Sequence, residues 1–81
     1  MKFGMYVLRD QKAGFLSPSV DVSDASAVRN FDTAVRKSND IMHFHKEDFD
    51  LFKIGEYDSD SGIVKAFDAP EFIINGGSID E

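Results

Sequence analysis

DLFKIGEYDSDSGIVKAF, residues 50–67, decides the fold, because its spacing alone reads as a β-hairpin. Residues 51–57 alternate apolar with polar, placing Phe52 and Ile54 on one side and Lys53 on the other. Residues 63–67 are a second β-branched and aromatic run. Between them, Asp58-Ser59-Asp60-Ser61-Gly62 is a turn, with Gly62 where a positive φ closes it. A lone hairpin is marginal in water, so this one needs a third strand or a helix. The first half of the chain offers one of each.

Residues 2–9 read as the first strand, with Phe3, Met5 and Val7 on one face and Gly4, Tyr6 and Leu8 on the other. Apolar residues on both faces suit a central strand, or one covered by a helix on one side and by a loop or partner on the other. Gly4 marks a bulge or a close backbone approach. Residues 10–14 form a turn. Residues 15–22, FLSPSVDV, read as irregular, since Pro18 blocks a central pairing; Phe15 and Leu16 fold back over the core, and Val20 and Val22 do likewise or make a short edge.

Residues 23–37 read as a helix, with Ser23 as N-cap and Asp24 at the positive end of the helix dipole. Ala27, Val28, Phe31, Ala34 and Val35 make one apolar stripe, and Asp32 with Arg36 forms an i, i+4 pair. Ser38-Asn39-Asp40 stops the helix. Residues 41–48, IMHFHKED, alternate as a strand would but end on charges that favour a short helical turn, so they read as a connector. Asp68-Ala69-Pro70 ends the sheet, Glu71-Phe72-Ile73-Ile74 is an apolar tetrad, and 75–81 reads as a flexible acidic tail. The expected fold is α+β: one helix packed on a small, mostly antiparallel three-stranded sheet, in the order β-α-β-β, with residues 1–74 as a single domain.

The chain has 81 residues, enough for one small domain, and its eight Phe can build a core. It contains no Cys, which removes disulfides and thiolate chemistry. It has neither a signal-peptide pattern nor an apolar run long enough for a membrane span, so the expected place is an intracellular, soluble one with no membrane partner. Net charge is −6, unevenly spread: residues 1–37 carry six Lys/Arg against four Asp/Glu, and residues 38–81 carry three against eleven. Phosphate neutralisation needs clustered bases, so the total is no footprint for a general nucleic-acid binder, and what stays open is a small basic patch in the first half. The acidic half would attract a basic protein.

No catalytic motif is present, and the chain reads as a non-enzyme without cofactor. His43 and His45, with Asp48 or Asp50, lack the fixed third ligand that zinc wants. The run Asp58–Gly62 resembles half a calcium loop, but Gly falls one position early and Ala69 stands where Glu belongs, so a solvated turn is the better reading and no metal is expected. Arg29, Arg36 and Lys37 share a polar helix face that suits phosphates or an acidic partner, or is simply solvated. Tyr6 and Tyr57 suit stacking on single-stranded bases, or core and rim packing. Phe72, Ile73 and Ile74 close the core, or form a sticky edge that would make a homodimer.

Three stretches together resemble a known family: FGMYVLRDQKAGF near the start, AVRNFDTAVR in the helix, and HKEDFDLFKIGEYDSDSGIV across the hairpin. They are similar to the small nonstructural protein of gokushovirus-type microviruses, the single-stranded DNA bacteriophages. The carrying residues are Ala27, Arg29 and Phe31 in the helix, then Glu47-Asp48-Phe49, Leu51, Gly55-Glu56-Tyr57-Asp58 and Gly62. The resemblance covers residues 1 to about 70 and fades from Phe72 onward. It implies a viral accessory protein in the host bacterial cytoplasm, acting in the switch from double-stranded genome replication to single-stranded DNA synthesis and packaging. Its partner would be a phage or host replication or packaging protein, with direct single-stranded DNA binding as the alternative.

Overall fold

The computed structural model describes residues 1–37 and 41–79, without the side chain of Ile41. The expected helix stop at Ser38-Asn39-Asp40, and Asp80 and Glu81 of the expected tail, lie outside the described residues. The chain runs β1 (Lys2–Asp10), β2 (Gly14–Phe15), β3 (Ser19–Asp21), α1 (Asp24–Lys37), the short α2 (Ile41–Phe44), a 3₁₀ turn (Lys46–Asp48), β4 (Phe49–Asp58), β5 (Val64–Asn75) and a second 3₁₀ turn (Gly76–Ser78). The class is the expected α+β, with one main helix on an antiparallel sheet. Among the described residues the sheet has five strands rather than three.

β1 is central. It pairs antiparallel with β4 from Lys2↔Asp58 to Asp10↔Phe49, and on its other edge with β2 at Arg9↔Phe15 and β3 at Met5↔Val20. β2 and β3 act as one edge strand broken by a one-residue register step near Pro18. Pro18 has no N–H to give a ladder, and an edge strand with a step in it is where a proline fits. Phe15 therefore joins the sheet in β2 instead of folding back over the core, and Val20 takes the short-edge alternative in β3. Pro70 was likewise expected to end the sheet, yet β5 runs through it. Between Lys53↔Glu71 and Gly55↔Ala66, Ile54 alone faces the four residues 67–70, so the strand bulges there and absorbs the proline at the sheet's other edge.

The hairpin turn closes as its sequence demands. Gly62 takes a φ of 75°, and the Asp58 N–H donates to the Ile63 carbonyl at 3.0 Å. The turn's carboxylates serve the turn itself: Asp58 accepts from the Asp60 N–H at 2.9 Å, which holds its carboxyl below the usual range, and Asp60 meets the Met1 amine at 2.6 Å. α1 starts where expected, with the Ser23 hydroxyl accepting from the Ser26 N–H at 3.1 Å. Its stripe of Ala27, Phe31 and Val35 is buried against Tyr6, Phe49, Leu51 and Ile79.

Ile79 belongs to that core because residues 75–79 are not a loose tail. Asn75 Nδ2 donates to the Glu47 carbonyl at 2.9 Å and to Asp50 Oδ1 at 2.7 Å, while its Oδ1 accepts from the Gly77 N–H at 2.7 Å. Lys46 Nζ donates to the Ile79 carbonyl at 2.9 Å. The two 3₁₀ turns thus clasp each other beneath α1. Among the described residues, no helix is long and apolar enough to cross a membrane.

Candidate interaction surface

The two faces of the sheet differ in what covers them. On the helix side, Tyr6 is 1 % exposed and its hydroxyl donates to the Asp24 carboxylate in the first turn of α1. Lys53 Nζ lies 3.2 Å from the same carboxylate and 5.8 Å from the centre of the Tyr6 ring. Burial, then the hydrogen bond to Asp24, pushes the Tyr6 phenol well above its ordinary value; the Tyr6 and Lys53 hydrogen bonds hold Asp24 below the carboxylate range. Gly4 makes the arrangement possible. A Cβ there would fall on the Tyr6 hydroxyl and within 2.6 Å of ring carbon Cε2. The close approach expected at Gly4 is thus made by a side chain.

The opposite face has no helix. Alternation along β1 sends Phe3, Met5, Val7 and Arg9 there, and the register brings Tyr57, Phe52, Phe72, Phe15 and Val20 beside them. Phe15, Phe52 and Phe72 form a row of edge-to-face rings across the sheet, with centroids 5.6 and 5.8 Å apart. The ends of the row are open: Phe15 is 54 % exposed and Phe72 57 %. Arg9 caps the row, its guanidinium 5.8 Å from the Phe15 ring centre. Beside it lies a recess of about 250 Å³ lined by Val7, Phe15, Leu16, Pro18, Ile54 and Pro70. The register step at Pro18 and the bulge at Pro70 form its two walls. Among the described residues paired on this face, only Arg9 and Asp50 are charged, and Asp50 is buried, accepting from Asn75 Nδ2 and from Gln11 Nε2 at 3.2 Å.

The residues singled out from sequence fall in three places. Arg29, Arg36 and Lys37 are exposed on the far side of α1. Arg36 is tied to Asp32 as an i, i+4 pair, and Arg29 lies close enough to Asp21 to help hold that carboxyl below its usual range, behind hydrogen bonds from Ser26, Val22 and Asn30. Tyr6 is enclosed, so no base can stack on it: its place is the core. Tyr57 is half-buried and stacked on Phe3 with centroids 6.5 Å apart, on the helix-free face. Phe72, Ile73 and Ile74 divide. Ile73 and Ile74 pack against the core, whereas Phe72 joins the open row. Sequence reasoning missed Arg9, Phe15 and the Pro18 and Pro70 walls. The available signal was the apolar odd-numbered positions of β1, which need a cover that the single helix cannot supply.

The sequence profile of the family described as Phage ORF5 protein matches residues 3–79. No curated protein and no solved structure matches the chain.

Proposed function

The chain belongs to the phage ORF5 protein family, and from that premise we propose that it is a non-enzymatic accessory protein that works by contact in the cytoplasm of the infected bacterium. Its role is in the switch from genome replication to single-stranded DNA synthesis and packaging, and its target is a phage or host protein of that machinery. The resemblance to gokushovirus nonstructural proteins supports the role. One observation carries the mode of action: an entire sheet face, apolar and free of helix, whose open rings and recess are suited to association. Asp21, Asp24 and Asp58 are each held below their ordinary carboxyl values chiefly by hydrogen bonds. Two further surfaces, the Arg29/Arg36 helix face and the acidic hairpin end, are open to the target.

The test is a phage carrying Phe15→Glu, a change at an exposed ring that spares the core. The expected results are a lower ratio of single-stranded to double-stranded viral DNA during infection, and loss of a replication or packaging protein from material purified on the tagged chain. An unchanged ratio with the variant folded and expressed would sink the proposal.

A second reading, direct binding of single-stranded DNA, is favoured by the aromatic row beside Arg9, because bases stack on rings of an open sheet. With Tyr6 enclosed, it rests on Phe15, Phe52, Phe72 and Tyr57. The net charge of −6 opposes it.

A further inference from the structure

We infer that the helix-free sheet face is the interface of a homodimer, in which the Phe72 ring of each copy enters the recess between Pro18 and Pro70 of the other. This deepens the proposed function and rests on it for the claim that the face is a contact surface. What it adds is the occupant.

Three observations select a second copy of this chain. The first is self-complementarity. A two-fold contact requires one surface to carry both halves of the match. Here the same face presents a projecting ring, Phe72, on the β5 edge, and an apolar recess lined by Val7, Leu16, Ile54 and the two prolines. A two-fold axis parallel to the sheet, lying in the plane between the two copies and midway between ring and recess, puts each ring over the opposite recess.

The second is area. The sheet is four rows wide, counting β2 and β3 as one row, and β1 is nine residues long. With strands about 4.8 Å apart and a rise of about 3.3 Å per residue, its footprint is roughly 550 Å². Two such faces remove about 1,100 Å² from water, which reaches the roughly 1,000 Å² that a specific interface needs.

The third is charge. A surface for a polyanion carries clustered cations, and the paired residues here supply Arg9 alone. The acidic residues Glu56 and Glu71 pair in register with helix-side positions, at Gly4 and Lys53, and Asp58 and Asp60 belong to the hairpin turn. Two copies of net charge −6 can therefore meet on this face with most of their carboxylates turned away. The target protein of the proposed function then meets the outer surfaces of the dimer, and Phe15→Glu loses it by breaking the dimer that presents them.

The experiment is light scattering on a sizing column, across a wide concentration series, for the wild-type chain and three single variants whose folding is checked by circular dichroism. The wild type should reach twice the chain mass of 9.1 kDa. Phe15→Glu and Phe72→Glu, at opposite ends of the ring row, should each stay at the single-chain mass with an unchanged spectrum. Arg29→Glu, on the far side of α1, should dimerise as the wild type does. The inference is overturned by a wild type that stays monomeric at every concentration. It is also overturned if Phe72→Glu alone dissociates the dimer, which would mean edge pairing through β5, or if Arg29→Glu dissociates it. A monomer that binds oligothymidylate and loses binding with Phe15→Glu would replace the second copy by nucleic acid. Failure of the broader reading looks different: a dimer that forms as described while the viral DNA ratio is indifferent to Phe15→Glu.

Discussion

Tyr6 is the residue through which the helix is fixed to the sheet. Its ring lies over Gly4, its hydroxyl reaches Asp24, and Lys53 closes the group from β4. Gly4→Ala forces the ring out of this position, and overpacking of this kind costs about 1–3 kcal/mol; a urea titration should show the midpoint falling by a corresponding amount at unchanged slope. The same cluster sets the pH limits of stability. Asp24 is below its unfolded value, so its contribution is complete above about pH 4 and is lost as pH falls through the lowered value. Tyr6 is above its unfolded value, so its contribution is complete below about pH 10 and is lost as pH rises further. Urea midpoints measured against pH should fall at both ends. Tyr6→Phe should flatten both falls, and in the wild type the tyrosinate absorbance that this substitution removes should arise only as the protein unfolds.

At the scale of elements, the pieces that sequence reveals are those whose physics is local. The β4–β5 hairpin needs a glycine at positive φ and has Gly62 there; α1 needs a cap and a stripe and has Ser23 with Ala27, Phe31 and Val35. Phe15 near Pro18, and the run through Pro70, join the sheet against expectation for a shared reason. A proline forbids a central ladder position, but it says nothing about an edge strand with a step or bulge, and whether a strand lies at an edge depends on partners far away in the chain. Residues 75–79 were misread because Asn-Gly-Gly is a loop signal, while the bonds that order it come from Lys46, Glu47 and Asp50. The clasp has a measurable weight. Ile79→Ala removes a buried side chain beneath α1 and should lower stability by about 2–5 kcal/mol in a denaturant titration.

At the scale of the whole molecule, the candidate surface was half legible. The apolar odd positions of β1 showed that a second cover was wanted, but the row of rings comes from β2, β4 and β5, and only the register aligns them. Tyr6 and Tyr57 look alike in sequence and end on opposite faces, because the parity of each strand position decides the side.

The central place of β1 also governs the order of events in time. The Lys2↔Asp58 pair joins positions more than fifty residues apart, so the middle of the sheet cannot close until β4 exists, whereas β4 and β5 meet across a short turn. At bacterial speeds of about 5–20 residues per second, a chain of this length takes about 4–16 s to make. For most of that interval β1 has only the short β2 and β3 to pair with on one edge, and the edge that β4 will fill stays open. The N-terminal half therefore completes its sheet only when the β4–β5 hairpin arrives to cover the open edge of β1.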